Sequence, residues 1–528
     1  MTAHSLNRRE LVKVSLLGAA ALALPLERVV RAKSISTIPR DKLPRPFTVP
    51  FAKPPVLAPV SSDATTDYYE ITQRQETLQI LPGFQTPVFT YNGTLPGPTI
   101  IVPKGRETVV RQINELPATH PTLAYVPSTS THLHGSASLP QFDGYANDVT
   151  LPGQWKDYRY PNNQAARTLW YHDHGVHHTS ENVYSGLAAQ YHLIDPAETL
   201  PLPTGEFDVP LIISDAMFAA DGSLKYDDKL HSGLWGDVIL VNGRPWPVMK
   251  VKRRKYRFRI LNASTSRGYR LALSTGDPLT VIATDGGLMP APQQVAQLRH
   301  GMAERYEVVI DFANYAVGQL VTLRNLGVEN SIDYDDTNKV MAFDVTADPF
   351  DPAGNEVPAV LSPNDPTMLL TPAMSTRTRR FRVKKDGEIW EIGDMTWADV
   401  VASDFRATFA NPAANAVEIW EIENSSGGWF HPVHIHLVDF QILARNGLPP
   451  RPEEKGPKDV VYVGEGETVR LIMKFEHQTG RYMMHCHNLP HEDHDMMTQF
   501  EVGMNGPSPF AAPAQPLPAP PLPGTAAL

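Results

Sequence analysis

Tyr68-Tyr-Glu-Ile-Thr-Gln-Arg-Gln-Glu-Thr-Leu-Gln-Ile80 alternates in polarity and stops at Pro82-Gly83. A period of two sends neighbouring side chains to opposite faces, so the run reads as a half-buried strand. Thr86-Pro-Val-Phe-Thr-Tyr-Asn-Gly93 ends on an Asn-Gly turn, and strand-like runs 96–103 and 107–114 follow. The texture returns at Leu211–Asp215, Val238–Gly243, Lys255–Asn262 and Tyr306–Asp311, then at Asn415–Glu423, Asp459–Val463 and Thr468–Phe475. Without a long 3.6-residue apolar period, the expectation is an all-β chain of sandwiches or barrels.

The 528 residues exceed what one core holds and suggest about three domains. Pro-rich breaks at 196–204 and 347–377 divide them as 35–197, 198–355 and 356–506. Residues 35–65 read as an extended arm laid over the first domain, or as disorder, and 507–528 as a flexible Pro/Ala-rich tail. The net charge of -10 gives no reason to expect nucleic acid or an anionic surface as partner. Residues 1–34 have the order of a signal peptide: Arg8-Arg9, then the apolar run Val14–Leu24, then small residues near Ala32 and Ser34. Asn7-Arg-Arg-Glu-Leu-Val-Lys13 resembles a twin-arginine export signal, although Asn7 and Leu11 depart from the residues commoner there. Export to the periplasm or the medium, with no stable membrane anchor, is expected. A single cysteine excludes an internal disulfide.

That cysteine lies in Tyr482-Met-Met-His-Cys-His-Asn-Leu-Pro-His-Glu-Asp-His-Asp-Met-Met497. Cys486 stands between His485 and His487, and His491 and Met496 follow. A thiolate, imidazoles and a soft thioether suit a mononuclear electron-transfer copper. Three more clusters exist: His132 and His134, His172 and His174, and His431, His434 and His436. In an extended segment, histidines two apart share a face and can serve one site. His177 and His178 read as loop or supporting residues. The middle domain has only His231 and His300, without ligand spacing, so its expected role is structural.

In this order, HxHG, HxH, HxxHxH and HCHxxxHxxxxM resemble the motifs of the multicopper oxidases, over about residues 65–506. The stretches 485–497 and 431–440 look especially like the branch holding bilirubin oxidase and the three-domain bacterial spore-coat laccase. The resemblance implies three cupredoxin-like Greek-key domains and four copper ions. It implies a type 1 copper on His431, Cys486, His491 and axial Met496, and a type 2 copper on His132 and His434. Two type 3 coppers fall to His134, His172 and His487, and to His174, His436 and His485. It further implies one-electron oxidation of phenols, aromatic amines or bilirubin-like donors, coupled to four-electron reduction of dioxygen to water. A cuprous oxidase for copper tolerance and a non-enzymatic exported copper protein are the alternatives.

Strand alternation gives this layout a physical logic. Cys486 faces one site while His485 and His487 face the other, so a covalent path joins them. Glu492 and Asp143 resemble the family's proton-handling carboxylates, and each could equally orient a histidine. Trp429 resembles the tryptophan beside the blue copper of bilirubin oxidase, where it takes part in substrate oxidation through a bond to the histidine. Phe430 departs from that pattern. The donor is expected at the edge of His431, in a cleft shaped by domains two and three, and the protein is expected to be a monomer.

Overall fold

The computed structural model describes residues 35–347 and 355–525, so the export segment lies outside the described residues. The chain is all-β, as expected, and its strands form six sheets that pack in pairs around three cores. The opening run forms strand Thr66–Leu78, with Tyr69, Ile71 and Gln73 buried on one face. It pairs in parallel with Glu107–Glu115. The same parallel pairing recurs between Asp208–Ala216 and Lys255–Asn262 and between Arg377–Asp386 and Val417–Asn424. Three repetitions of one non-local pairing describe one cupredoxin-like sandwich used three times.

The sheets set the candidate ligands in register. Strand Thr131–His134 pairs antiparallel with Arg167–Asp173, placing His132 opposite His172. Strand His431–Ile435 pairs antiparallel with Gly480–Cys486, placing His434 opposite His485 and Val433 opposite Cys486. Directly opposed residues share a face. The two histidines therefore lie on one side of their sheet, and Cys486 joins Val433, Met484 and Met496 in the apolar core on the other.

Two terminal segments differ from expectation. The arm first crosses the second sandwich: Ser36 bonds to Asp237, Arg40 pairs with Asp335 and Asp336, and Phe51 N–H donates to the Val248 carbonyl. It reaches the first sandwich only near Pro55, whose carbonyl accepts from Thr99 N–H. The tail does not project. Gln515–Pro516 adds an edge strand beside Gln154 and Trp155, the Pro520 carbonyl accepts from Arg111, and Leu522 is buried. Much of this attachment, at Phe51, Pro55, Gln515–Pro516 and Pro520, uses main-chain groups, which composition does not reveal.

Candidate metal centre

Ten histidines and Cys486 lie at most 1% exposed; His132, His134, His172, His431, His434, His485 and Cys486 are in strands of the first and third sandwiches, His174, His436 and His487 directly follow strand ends, and His491 is in the short helix Leu489–Asp493. Burial pushes His431 down to about 3 and His132, His134, His434, His436, His487 and His491 well below the usual imidazole value. Neutral imidazole is the form that binds metals.

Each neutral ring has one N–H and one lone pair, so a partner on one nitrogen assigns the other. His132 Nδ1–H donates to the Asp143 carbonyl at 2.5 Å, and His434 Nδ1–H to the Asp459 carbonyl at 2.9 Å. Their Nε2 lone pairs then face each other at 3.4 Å. His485 Nδ1 lies 2.8 Å from Glu492 Oε2, and His174 Nδ1 lies 3.5 Å from Glu492 Oε1. His436 Nδ1 lies 2.8 Å from Asp143 Oδ2. The Nε2 atom of His485 is 3.2 Å from those of both His174 and His436. Beside this trio, His134 Nε2 is 3.2 Å from Asp459 Oδ1, and His172 Nδ1–H donates to the Asp173 carbonyl at 2.7 Å. That leaves His134 Nδ1, His172 Nε2 and both nitrogens of His487 without a protein partner.

Opposed lone pairs in a dry interior repel, and unsatisfied buried nitrogens are costly. A cation removes both penalties. His132, His134 and His434, then His134, His172 and His487, then His174, His436 and His485 each bring ligand atoms within 4.8 Å of one another.

A separate group joins His431, Cys486 and His491. His431 Nε2 bonds to Ser426 Oγ at 2.8 Å, while Nδ1 faces Cys486 Sγ at 3.3 Å. His491 Nε2–H donates to the Ser232 carbonyl at 3.0 Å, and Nδ1 lies 3.9 Å from Sγ. Met496 is fully buried, and its backbone bonds to Cys486 N–H and the His491 carbonyl. Burial pushes the Cys486 thiol well up, so thiolate forms there only with a cation to hold it. A thiolate with two imidazoles fits copper.

Asp143 and Glu492 both contact the histidines. Burial raises Asp143 well above the usual carboxylate value; its Oδ2 faces His436 Nδ1, and a cation held by His436 Nε2 would favour the proton of that contact on Nδ1. Burial also works to raise Glu492, but His485 and His174 outweigh it and hold the carboxyl at about 2. Trp429 is partly exposed and meets His491 edge-on at 5.3 Å, and Trp390 stacks on His491 at 3.7 Å. The ring beside His431 is Trp390, at 5.5 Å. The outward nitrogen of His431 ends on buried Ser426, whereas that of His491 ends on half-buried Ser232, next to exposed His231 in the second sandwich. Phe430 turns away and stacks on Tyr462. His178 stacks on Tyr125, and His177 lies 3.3 Å from the Asp493 carbonyl, both outside the ligand groups.

Sequence reasoning missed Ser232, Ser426, Asn488, Trp390, Asp459 and Arg305. Asn488 was the most accessible, since it lies inside the cysteine motif and its N–H points at Cys486 Sγ.

Three family models described as multicopper oxidase match residues 72–197, 205–341 and 370–505. The chain is 44% identical over 482 residues to bilirubin oxidase of Albifimbria verrucaria, covering 86% of this chain and 81% of that one. Laccase of Bacillus subtilis strain 168 is 33% identical over 507 residues, covering 85% and 97%. The crystal structure of McoA multicopper oxidase from Aquifex aeolicus matches with a TM-score of 0.74 at 29% identity, over 86% of this chain and 100% of that one. The chain belongs to the multicopper oxidases. It is an oxidoreductase that couples oxidation of organic donors to reduction of dioxygen. Among the described residues, no helix is long and apolar enough to cross a membrane.

Because a cation would satisfy these facing lone pairs, copper should raise the melting temperature of apoprotein. Saturation ~1,000-fold above Kd is worth about 4 kcal/mol per site, or roughly 4 °C for a chain this long. Magnesium, an oxygen-seeking ion, should give no shift in the same scan.

Proposed function

We propose that this chain is a laccase- or bilirubin-oxidase-like enzyme holding four coppers. The type 1 ion lies on His431, Cys486, His491 and Met496, and the type 2 ion on His132 and His434. The type 3 pair lies on His134, His172 and His487, and on His174, His436 and His485. When bound, the coppers accept single electrons from the donor and together supply the four that dioxygen needs.

One observation carries this reading. Cys486 faces a sulfur-containing donor set, while both sequence neighbours face all-histidine sets across the strand. One residue of backbone on either side covalently links the two. Asp143 and Glu492 hold the N–H sides of His436, His485 and His174, so their lone pairs point inward. Glu492 is also the carboxylate best placed to pass protons, since it touches two of these histidines.

The donor site lies at His491 rather than His431, with Trp429 and the loop around Ser232 as its wall. Outer-sphere electron transfer asks for proximity more than a tight pocket, which favours a broad range of phenols, aromatic amines and bilirubin-like tetrapyrroles. The relatives' names support these donor classes. Residues 1–34 direct export, and the protein acts as a monomer outside the cytoplasm.

Copper analysis of the loaded protein should give four ions per chain, with one dioxygen consumed per four electrons withdrawn in a panel of bilirubin, phenols, aromatic amines and cuprous ion, that is, per four molecules of a one-electron donor or two of a two-electron donor. Turnover with cuprous ion alone would favour the copper-tolerance alternative. Glu492→Gln should keep the blue absorption and slow dioxygen reduction roughly a hundredfold; full turnover at full copper loading would remove its proton role.

A further inference from the structure

The second sandwich supplies none of the twelve proposed ligands, yet one of its side chains reaches the cluster's support. Arg305 opens strand Arg305–Asp311 and is fully buried. Its Nη1 donates to Asp459 Oδ1 at 2.7 Å, and Nη2 donates to Asp459 Oδ2. Its Nε donates to the Thr168 carbonyl at 3.0 Å, on the first-sandwich strand that carries His172. One planar guanidinium thus ties three sandwiches together.

Asp459 is the receiving group in the third sandwich. Its Oδ1 is 3.2 Å from His134 Nε2, and its carbonyl accepts from His434 Nδ1. Asp459 therefore touches one ligand of the proposed type 3 pair and one of the proposed type 2 site. An ionised carboxylate keeps the proton of His134 on Nε2 and frees Nδ1 for metal. Only a fixed carboxylate can do this, and the two-pronged Arg305 contact fixes it. Gly135 completes the fit: a Cβ there would lie 2.6 Å from Asp459 Oδ2 and 2.7 Å from Arg305 Nη2, at φ +87°. The glycine that closes the first histidine motif thus makes room for this ion pair.

Nearby charges supply an internal control. Lys458, equally buried, lies 2.9 Å from both Asp285 Oδ2 and Glu304 Oε1 and reaches the pair only through Asp285, which accepts from the backbone N–H groups of Arg305 and Asp459 and leaves the Asp459 carboxylate to Arg305.

We infer that the Arg305–Asp459 ion pair is a positioning element through which the ligand-free second sandwich sets the orientation of His134, held by the Asp459 carboxylate, and of His434, held by the Asp459 carbonyl. The inference rests on the copper assignment above. Copper content and EPR of the wild-type protein test that assignment separately: a wild type without cluster copper would end the assignment, whatever the variants do.

Arg305→Met and Lys458→Met should be compared by copper content after chelator challenge, by blue absorption, and by the EPR hyperfine splitting of the type 2 copper. Both variants lose one buried cation. Arg305→Met should retain the blue absorption, bind cluster copper roughly ten- to hundredfold more weakly, and show altered hyperfine splitting. Lys458→Met should retain the wild-type splitting and cluster copper. An unchanged cluster in Arg305→Met, or equal losses in both variants, overturns the proposal. If Arg305→Met does not fold because Asp459 is left unpaired, the charge-balanced double variant Arg305→Met/Asp459→Asn takes its place. A wild-type cluster in that protein overturns the proposal, and selective loss at the cluster supports it.

Discussion

Each buried imidazole in this protein has two nitrogens and only one hydrogen. Partners for one nitrogen decide where the other's lone pair points. Asp143, Asp459, Asp173 and Glu492 face the outer nitrogens of seven of the cluster histidines, and the remaining lone pairs converge or stay unsatisfied. His487 stands apart, with neither nitrogen taken by protein. The same rule operates at the cysteine site, where Ser426 and the Ser232 carbonyl hold the outer nitrogens and turn the inner ones toward sulfur. The facing lone pairs and orphaned acceptors are the donor set that cations would satisfy. Rigid strands keep them from collapsing onto other partners.

The alternation of a β-strand divides this capacity between two sites. Strand Gly480–Cys486 puts Cys486 into the apolar core with Met496, and His485 on the opposite face. Burial in that core raises the thiol strongly, so sulfur becomes a ligand only together with its metal. Exclusion of water follows from the same packing, since these side chains are almost wholly enclosed.

The histidine clusters were legible in the sequence because strand periodicity turns spacing into direction. His132 with His134 and His485 with His487 needed no knowledge of the partner strands. Asp143 and Glu492 could be found because they lie close to those motifs. What could not be read was held by long-range contact. Ser232 and His491 are 259 residues apart, and Arg305 and Asp459 are 154 apart. Arg305 carried no signal at all, since a charged residue at the start of an apolar strand normally marks a surface. The tail failed for a different reason: Pro/Ala-rich composition reports poor core-forming capacity, and its attachment depends on main-chain pairing and a few contacts. The proposed placement of the donor at His491 instead of His431 likewise rests on a long-range contact, that of the outer His491 nitrogen with Ser232.

In the proposed arrangement Cys486 joins two functionally distinct metal sets. Cys486→Ser tests it most directly, with copper content, visible absorption and dioxygen uptake measured on one preparation. The blue absorption should vanish, the histidine cluster should keep its copper, and donor-driven dioxygen uptake should fall to background. Wild-type uptake in a colourless Cys486→Ser protein would contradict it.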